Sequence, residues 1–437
     1  MIDRRAEWDK YFLGSVLFLS LLIGGGTASG LYTDSLIQVA TFLSVAAVFS
    51  QGSGQRIPHS ALWLLMFAVA WAALQVVPLP AAIFDGLRPE LLLADRWMAG
   101  ETRFRFISVG VGRTTECILF MAASIALFLG ITRLRSDQVN GLLPFFFMGV
   151  LCNGLAGAIQ YSLSTDVAIV GLFPFTINAG LFANQNHFSA LLFVSIPFVA
   201  YYGLFRGHLL SGSLGLISLL LLLLAAGSRA GVLIGLAITI ISVAFLSARS
   251  RASGFTTLVI FVVLSVYTIG AWTKIDAEVV DPAFGRAEFA RTTVEGIKDN
   301  WPIGVGFGNF QKAYQIYEKE SMIFSQYVNH AHNEYLELAF EGGIPAIVLM
   351  ISYFVLLFSA LARVRRDPFQ KAAFLSVSFL LIHSLVDYPL RTEALAMTFA
   401  YMNAIIFHKG FAERLGRKSE VIEVDHNGDK LFVPIGT

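Results

Sequence analysis

The sequence predicts an all-α polytopic membrane protein with about 12 transmembrane helices and one large loop on the outer face. Three observations carry that expectation. Hydrophobic residues make up 56% and charged residues 14% of the 437 positions, with mean hydropathy +0.68. A soluble chain of this size carries roughly 25% charged residues. Apolar runs long enough to cross ~30 Å of hydrocarbon recur along the whole length. One stretch, Phe284–Gly343, interrupts them as the longest polar interval. The long runs also exclude a transmembrane β-barrel, which would show ~10-residue alternating segments.

Taken in order, the expected spans are about 11–26, 31–50, 60–78, 114–132, 140–161, 186–205, 212–227, 230–247, 255–272, 344–362, 371–388 and 392–408. The first run imitates a signal peptide, because Thr27-Ala28-Ser29 is a stretch of small residues, but it reads as a retained first span. Residues 1–408 then form one transmembrane domain and residues 409–437 a polar, partly disordered cytoplasmic tail. Cys117 and Cys152 sit inside separate apolar runs as packing residues, with no disulfide between them.

Short-loop charge sets the orientation. Alternate loops hold Arg56; Arg133 and Arg135; Arg206; Arg249 and Arg251; and Arg363, Arg365 and Arg366. The tail adds Lys409, Arg414, Arg417 and Lys418. An excess of Lys and Arg in short loops marks the cytoplasmic side, so both termini are expected there. The opposite set contains the long connections, about 79–113, 162–185 and 273–343, with shorter turns at Gly227–Arg229 and near Tyr388–Arg391. Long loops outside a compact helical body usually serve function.

Candidate site residues gather on that outer side. Arg229, in GSRAG, departs from the charge rule. An arginine near a membrane boundary is costly and points to an anionic partner; the alternative is a guanidinium that snorkels at a helix end. Arg286 and Arg291 lie on an amphipathic segment stopped by Pro302. Arg286 shares a face with Phe289 and Thr293 and offers a planar fork suited to phosphate; a surface salt bridge is the alternative for both arginines. The GxGxG in Trp301–Asn309 is not a nucleotide fingerprint, because no βαβ unit surrounds it. It reads as a tight re-entrant turn whose apolar side chains dip into the membrane interface. His330-Ala331-His332-Asn333-Glu334 opens a helix through Phe340, with Glu334, Glu337 and Glu341 on one face. Imidazole titrates near neutral pH, so either histidine can act as a general base. Helix capping and a metal pair remain open, the latter needing a third ligand for which His187 is the candidate.

Four segments together resemble the O-antigen ligase/polymerase superfamily of bacterial inner-membrane glycosyltransferases. They are GLFANQNHFSALL at 180–192, GSRAG at 227–231, GRAEF with NWPIGVGFGNF at 285–310, and HAHNEYLELAFEGGIPA at 330–346. The resemblance covers about 60–437. It implies a twelve-helix inner-membrane enzyme with a periplasmic catalytic loop, here 273–343, and an undecaprenyl-diphosphate-linked oligosaccharide as donor. It implies no cofactor and no essential metal. A glycan or the lipid A core is the implied acceptor. Membrane lipids surround the protein, a chain-length regulator and a flippase are candidate partners, and nucleic acid is not one. Carried over residue by residue, Arg229 and Arg286 bind the donor diphosphate and His332 activates the acceptor hydroxyl, since the family histidine directly precedes Asn, here Asn333. His330, Asn333, Asn184, Asn186 and Arg291 are acceptor-side or supporting residues in this reading.

The chemistry is self-consistent. A glycosyl diphosphate already carries a good leaving group, so two guanidinium groups suffice to stabilise the charge on the departing diphosphate. One base must take the acceptor proton, and a single displacement inverts the anomeric centre. The expected activity is polymerisation of exopolysaccharide or O-antigen repeat units, with transfer to lipid A core, or to protein, as the alternative. A transporter of the lipid-linked glycan also fits twelve helices, but transporters place polar groups near the bilayer midplane, whereas polarity here gathers on one outer face.

Overall fold

The computed structural model describes residues 4–28, 30–50, 55, 57–84, 103–163, 178–247, 267–270, 282–319, 328–411, 420–424 and 430–434. Among the described residues the regular structure is helical apart from two small antiparallel ribbons. Its helices are α1 (Arg4–Ile23), α2 (Tyr32–Ser50), α3 (His59–Gln75), α4 (Val111–Arg133), α5 (Ser136–Asn140), α6 (Leu143–Leu163), α7 (Gln185–Ala200), α8 (Leu209–Ala226) and α9 (Arg229–Ser247). After these come α10 (Pro282–Asp299), α11 (Phe310–Tyr314), α12 (Glu334–Ser359), α13 (Leu361–Val364), α14 (Pro368–His383) and α15 (Glu393–Phe407). Among the described residues, seven helical segments are long and apolar enough to cross a membrane. The protein is therefore an all-α polytopic membrane protein. Every expected span except 255–272 coincides with a helix; that one lies outside the described residues save for 267–270. So do Arg56, Arg249, Arg251, Arg414, Arg417 and Lys418, and parts of the loops at 79–113, 162–185 and 273–343.

The bundle is built around α7. A surface helix has one apolar stripe, whereas a helix apolar all round belongs in a core. HFSALLFVSIPFVA is of the second kind, and nearly all of it is buried. It packs against α6, α8, α9 and α14. Small residues allow the approach: a Cβ on Gly231 of α9 would stand 2.5 Å from the Ser189 Cβ of α7. Ser376 Oγ of α14 donates to Val194 O of α7 at 2.6 Å, satisfying a hydroxyl that has no water to turn to. On the other side α15 packs against α1, α4 and α14.

A second group, α3, α4, α10 and α12, holds the glycine-patterned turn. Gly304, Gly306 and Gly308 all have positive φ, at 70°, 92° and 78°, a region that a Cβ disfavours. Val305 N donates to Phe340 O at 3.0 Å and Gly306 N to Glu341 O at 2.8 Å. A tight turn was expected, but its apolar side chains do not face lipid. Val305 is fully buried and Phe307 nearly so, both in protein packing, because these main-chain bonds clamp the turn against α12.

Three further boundaries differ from expectation. Helix α12 joins the polar helix and the apolar span expected at 344–362 across a break at Gly343 (φ 60°, ψ −150°). A Cβ there would stand 2.1 Å from Pro302 O, and Trp71 Nε1 donates to Gly342 O at 2.9 Å beside it. The span expected at 371–388 ends at His383, so 384–388 form a turn before Pro389. A residue preceding proline is disfavoured in the α region. The polar tail contains a ribbon pairing Glu420–Val424 with Lys430–Pro434.

Candidate active site

The loop–helix junction after α14 is the centre of the site. The early end of that helix leaves Asp387 in a turn, where it is fully buried. Tyr388 N donates to its Oδ1 at 2.8 Å, and Asn186 Nδ2 donates to its Oδ2. Two imidazoles face Oδ1: His332 Nδ1 at 3.6 Å and His187 Nε2 at 3.8 Å. Burial by itself would raise the Asp387 pKa. The facing imidazoles of His187 and His332 outweigh it and hold the carboxyl well below its ordinary 3.8. Asp387 is thus a carboxylate throughout the neutral range. The stability it contributes is present above pH 3.8 and is lost only as pH falls through the lowered value.

Around this carboxylate the structure gathers most of the residues singled out by sequence. Asn184 caps α7, its Oδ1 accepting from Asn186 N at 2.8 Å, as an N-cap side chain does. Its Nδ2 donates to Tyr388 Oη at 3.5 Å, and Asn329 Nδ2 donates to the same oxygen at 3.3 Å. The Tyr388 ring is flanked by His187, His330 and His332 at centroid distances of 4.7, 4.1 and 5.0 Å. Asn333 caps α12, accepting from Tyr335 N and Leu336 N at 3.1 Å, and its Nδ2 donates to Leu385 O at 2.9 Å. Its place is therefore structural as well as adjacent to the site.

His332 has φ 50°, and among the described residues no other non-glycine has positive φ. Such a conformation is uncommon outside glycine and clusters at functional sites. Its ring stacks on Phe289 of α10, with centroids 5.9 Å apart at 27°. Arg286 stands three residues before Phe289 on the same helix, hence on the same face. Arg229 opens α9. The turn before it is fixed by Gly227 (φ 76°) and by Ser228 Oγ, which accepts from Gly231 N at 3.0 Å. A Cβ on Gly227 would stand 3.4 Å from Gln185 Oε1, so GSRAG lies against the first turn of α7, beside Asn184 and Asn186. Arg291 pairs with Glu288 one helical turn back, and its side chain is 59% exposed. That is the salt-bridge alternative for Arg291.

Three acidic residues on one face of α12 anchor the surroundings. Glu334 Oε1 accepts from Leu390 N at 2.6 Å. Glu337 accepts from Ala331 N at 2.9 Å and lies 2.7 Å from His330 Nδ1. Glu341 accepts from Phe310 N at 3.1 Å and from Arg391 Nη2 at 3.0 Å. Arg391 also stands 3.4 Å from Glu337. Burial opposes its charge, but Glu337 and Glu341 more than compensate and its pKa is raised. Among the described residues, no group of three or more His, Cys, Asp and Glu side chains is arranged to hold a metal ion. His187, the third ligand a His-x-His metal pair would need, faces Asp387 instead.

Sequence reasoning missed Asp387, Tyr388, Glu337 and Arg391 as site residues. Asp387 was assigned to a span and Arg391 to a short turn. The usable signal was the pair of charges bracketing Tyr388-Pro389-Leu390 in otherwise apolar surroundings.

No curated protein matches the chain. Residues 214–351 match a family model described as O-antigen ligase. The matched stretch runs from α8 through Arg229, Arg286 and the histidine loop into α12, and it supports membership of the O-antigen ligase/polymerase superfamily.

Proposed function

We propose that this protein is a membrane glycosyltransferase that moves a glycan from an undecaprenyl-diphosphate-linked donor to an acceptor hydroxyl at the periplasmic face, without a metal. The observation that carries the reading is the His332–Asp387 pair. A buried carboxylate 3.6 Å from Nδ1 orients the ring and stabilises the imidazolium formed when Nε2 takes a proton, the division of roles seen wherever a carboxylate backs a catalytic histidine. Catalytic contacts are often long without substrate and tighten when it binds. The base takes the acceptor proton, the acceptor oxygen attacks the anomeric carbon, and the diphosphate leaves with the bonding electrons. Arg229 and Arg286 bind that diphosphate. Arg286 suits this role because α10 brings it to the face that carries the stacking partner of His332.

The acceptor in this reading is another lipid-linked repeat unit, so that the product is a longer exopolysaccharide or O-antigen chain. A second reading, transfer to lipid A core, is favoured by the description of the matched family. A deletion strain separates them. Loss of long polymer with single-repeat attachment to lipid A intact supports the polymerase; loss of all attached glycan supports the ligase.

The test of the activity is glycan transfer by purified protein in detergent, given undecaprenyl-diphosphate-linked repeat unit. Translocation of that lipid by vesicles, with no transfer or lengthening, would replace the enzyme with a transporter. Transfer is also expected to survive chelation with EDTA. Loss of transfer that one divalent ion restores would return His330 and His332 to a ligand role and demote the arginine model.

Orientation gives a further expected result. A cysteine placed at Lys312, which is exposed in the structure, is expected to react with a membrane-impermeant thiol reagent in intact spheroplasts. One at Arg365, also exposed, is expected to react only after lysis. A cytoplasmic Lys312 would remove the assignment, since the site and the donor would then lie on opposite sides.

A further inference from the structure

We propose that Glu337 and Arg391 are a positioning pair for the histidine loop, setting the aim of His332 from beneath without touching substrate. This inference rests on His332 being the base.

The loop presents a mechanical problem. His332 sits at φ 50°, a conformation that is unfavourable for a non-glycine residue and persists only where the surroundings over-determine it. The two residues before it are held by one carboxylate. Glu337 lies 2.7 Å from His330 Nδ1 through Oε1, and accepts from Ala331 N at 2.9 Å through Oε2. The residue after it, Asn333, is held by the first turn of α12. His332 therefore bridges two clamps, and its main-chain angles follow from theirs.

Glu337 is itself fully buried, as is Glu341 one turn on. Two buried carboxylates on one helix face repel each other, and each is costly unless paired. Arg391 answers both, at 3.4 Å from Glu337 and 3.0 Å from Glu341. The guanidinium arrives from the turn that also carries Asp387 and Tyr388. One ion-pair cluster therefore ties the loop that carries the base to the turn that carries its partner carboxylate, which sets the His332–Asp387 separation. Both contacts are made by the one nitrogen Nη2, which the planar guanidinium holds in a fixed direction, whereas an ammonium group is a rotating point of charge on a flexible stem. His330 is accordingly a strut between Glu337 and the Tyr388 ring, 4.1 Å away.

The experiment measures transfer kinetics of the full chain in detergent, with undecaprenyl-diphosphate-linked repeat unit as donor, for Glu337→Gln, Arg391→Lys and His332→Ala. Glu337→Gln keeps the shape and one acceptor but loses the charge. It is expected to lower kcat about 30-fold, the loss typical of a hydrogen bond to a charged group, with donor half-saturation within about twofold of the parent. Arg391→Lys is expected to fall between Glu337→Gln and the parent. Unchanged kcat in Glu337→Gln, or a loss confined to half-saturation, overturns the proposal. Should Glu337→Gln fail to fold, Arg391→Lys decides: a lowered kcat at constant half-saturation supports the pair, and parental kcat overturns it. An active His332→Ala protein sinks the underlying reading and this inference with it. An inactive His332→Ala alongside a fully active Glu337→Gln sinks the positioning pair alone.

Discussion

Replacing His332 with alanine is expected to abolish glycan transfer while leaving donor binding nearly intact. In the proposed reading the imidazole serves the acceptor, whereas arginines on other helices hold the donor. Asp387→Asn is expected to lower kcat by about 100-fold or more, since the amide can neither stabilise an imidazolium nor select the ring tautomer. The introduced carboxamide has one acceptor oxygen for two donors, Asn186 Nδ2 and Tyr388 N, so some loss of stability accompanies the loss of kcat and the variant is compared only once its folding is confirmed. His330→Ala is expected to be milder, about 10-fold, because it orients its neighbour and does not touch the reacting atoms. The measurement is transfer at several pH values together with donor binding, on purified variants whose folding has been confirmed. An active His332→Ala protein would refute the assignment. A His330→Ala protein that alone loses turnover would move the base two residues upstream.

Arg229→Ala and Arg286→Ala are each expected to lower transfer by roughly 30-fold to several thousand-fold, since losing one partner of a desolvated charge contact costs ~2–5 kcal/mol. Unlike His332→Ala, both variants are expected to weaken donor binding. Arginine-to-lysine replacements keep the charge and lose the bidentate fork, so partial recovery is expected. Arg291→Ala provides the contrast. Its guanidinium is exposed and paired with Glu288 on its own helix, and exposed pairs of that kind contribute little, so near-parental transfer is expected. A large loss at Arg291 with parental activity at Arg286 would exchange their roles. Equal donor affinity across all three variants would take the diphosphate away from both arginines.

Some of this protein is a local property of its sequence. Membrane class follows from apolar runs measured against the thickness of a bilayer, and each run carries its own signal. The glycines of Ile303–Asn309 announce a turn because positive φ is a demand made residue by residue. Glu334, Glu337 and Glu341 share a face because helical periodicity fixes their spacing. Asn184 and Asn333 sit where a side chain caps the next helix. Other features could be read only in three dimensions. Asp387 looked like a residue inside a span because hydropathy averages over a window and cannot see that the helix stops at His383. Helical spacing puts Arg286, and not Arg291, on the face of Phe289, but only packing shows that this face meets His332 while Arg291 is exposed and paired with Glu288. Val305 and Phe307, expected to dip into the membrane interface, are buried in protein because main-chain bonds to α12 pull the turn inward. The partners of His332 and His330 include Asp387, Tyr388 and Glu337, with Arg391 behind Glu337, drawn from the start of α12 and the turn between α14 and α15. The sequence by itself determined a helical membrane body with one long polar interval, because length and periodicity are short-range quantities. The tertiary structure alone decided which carboxylate stands behind which histidine, because a buried charge is stable only beside partners that other helices deliver.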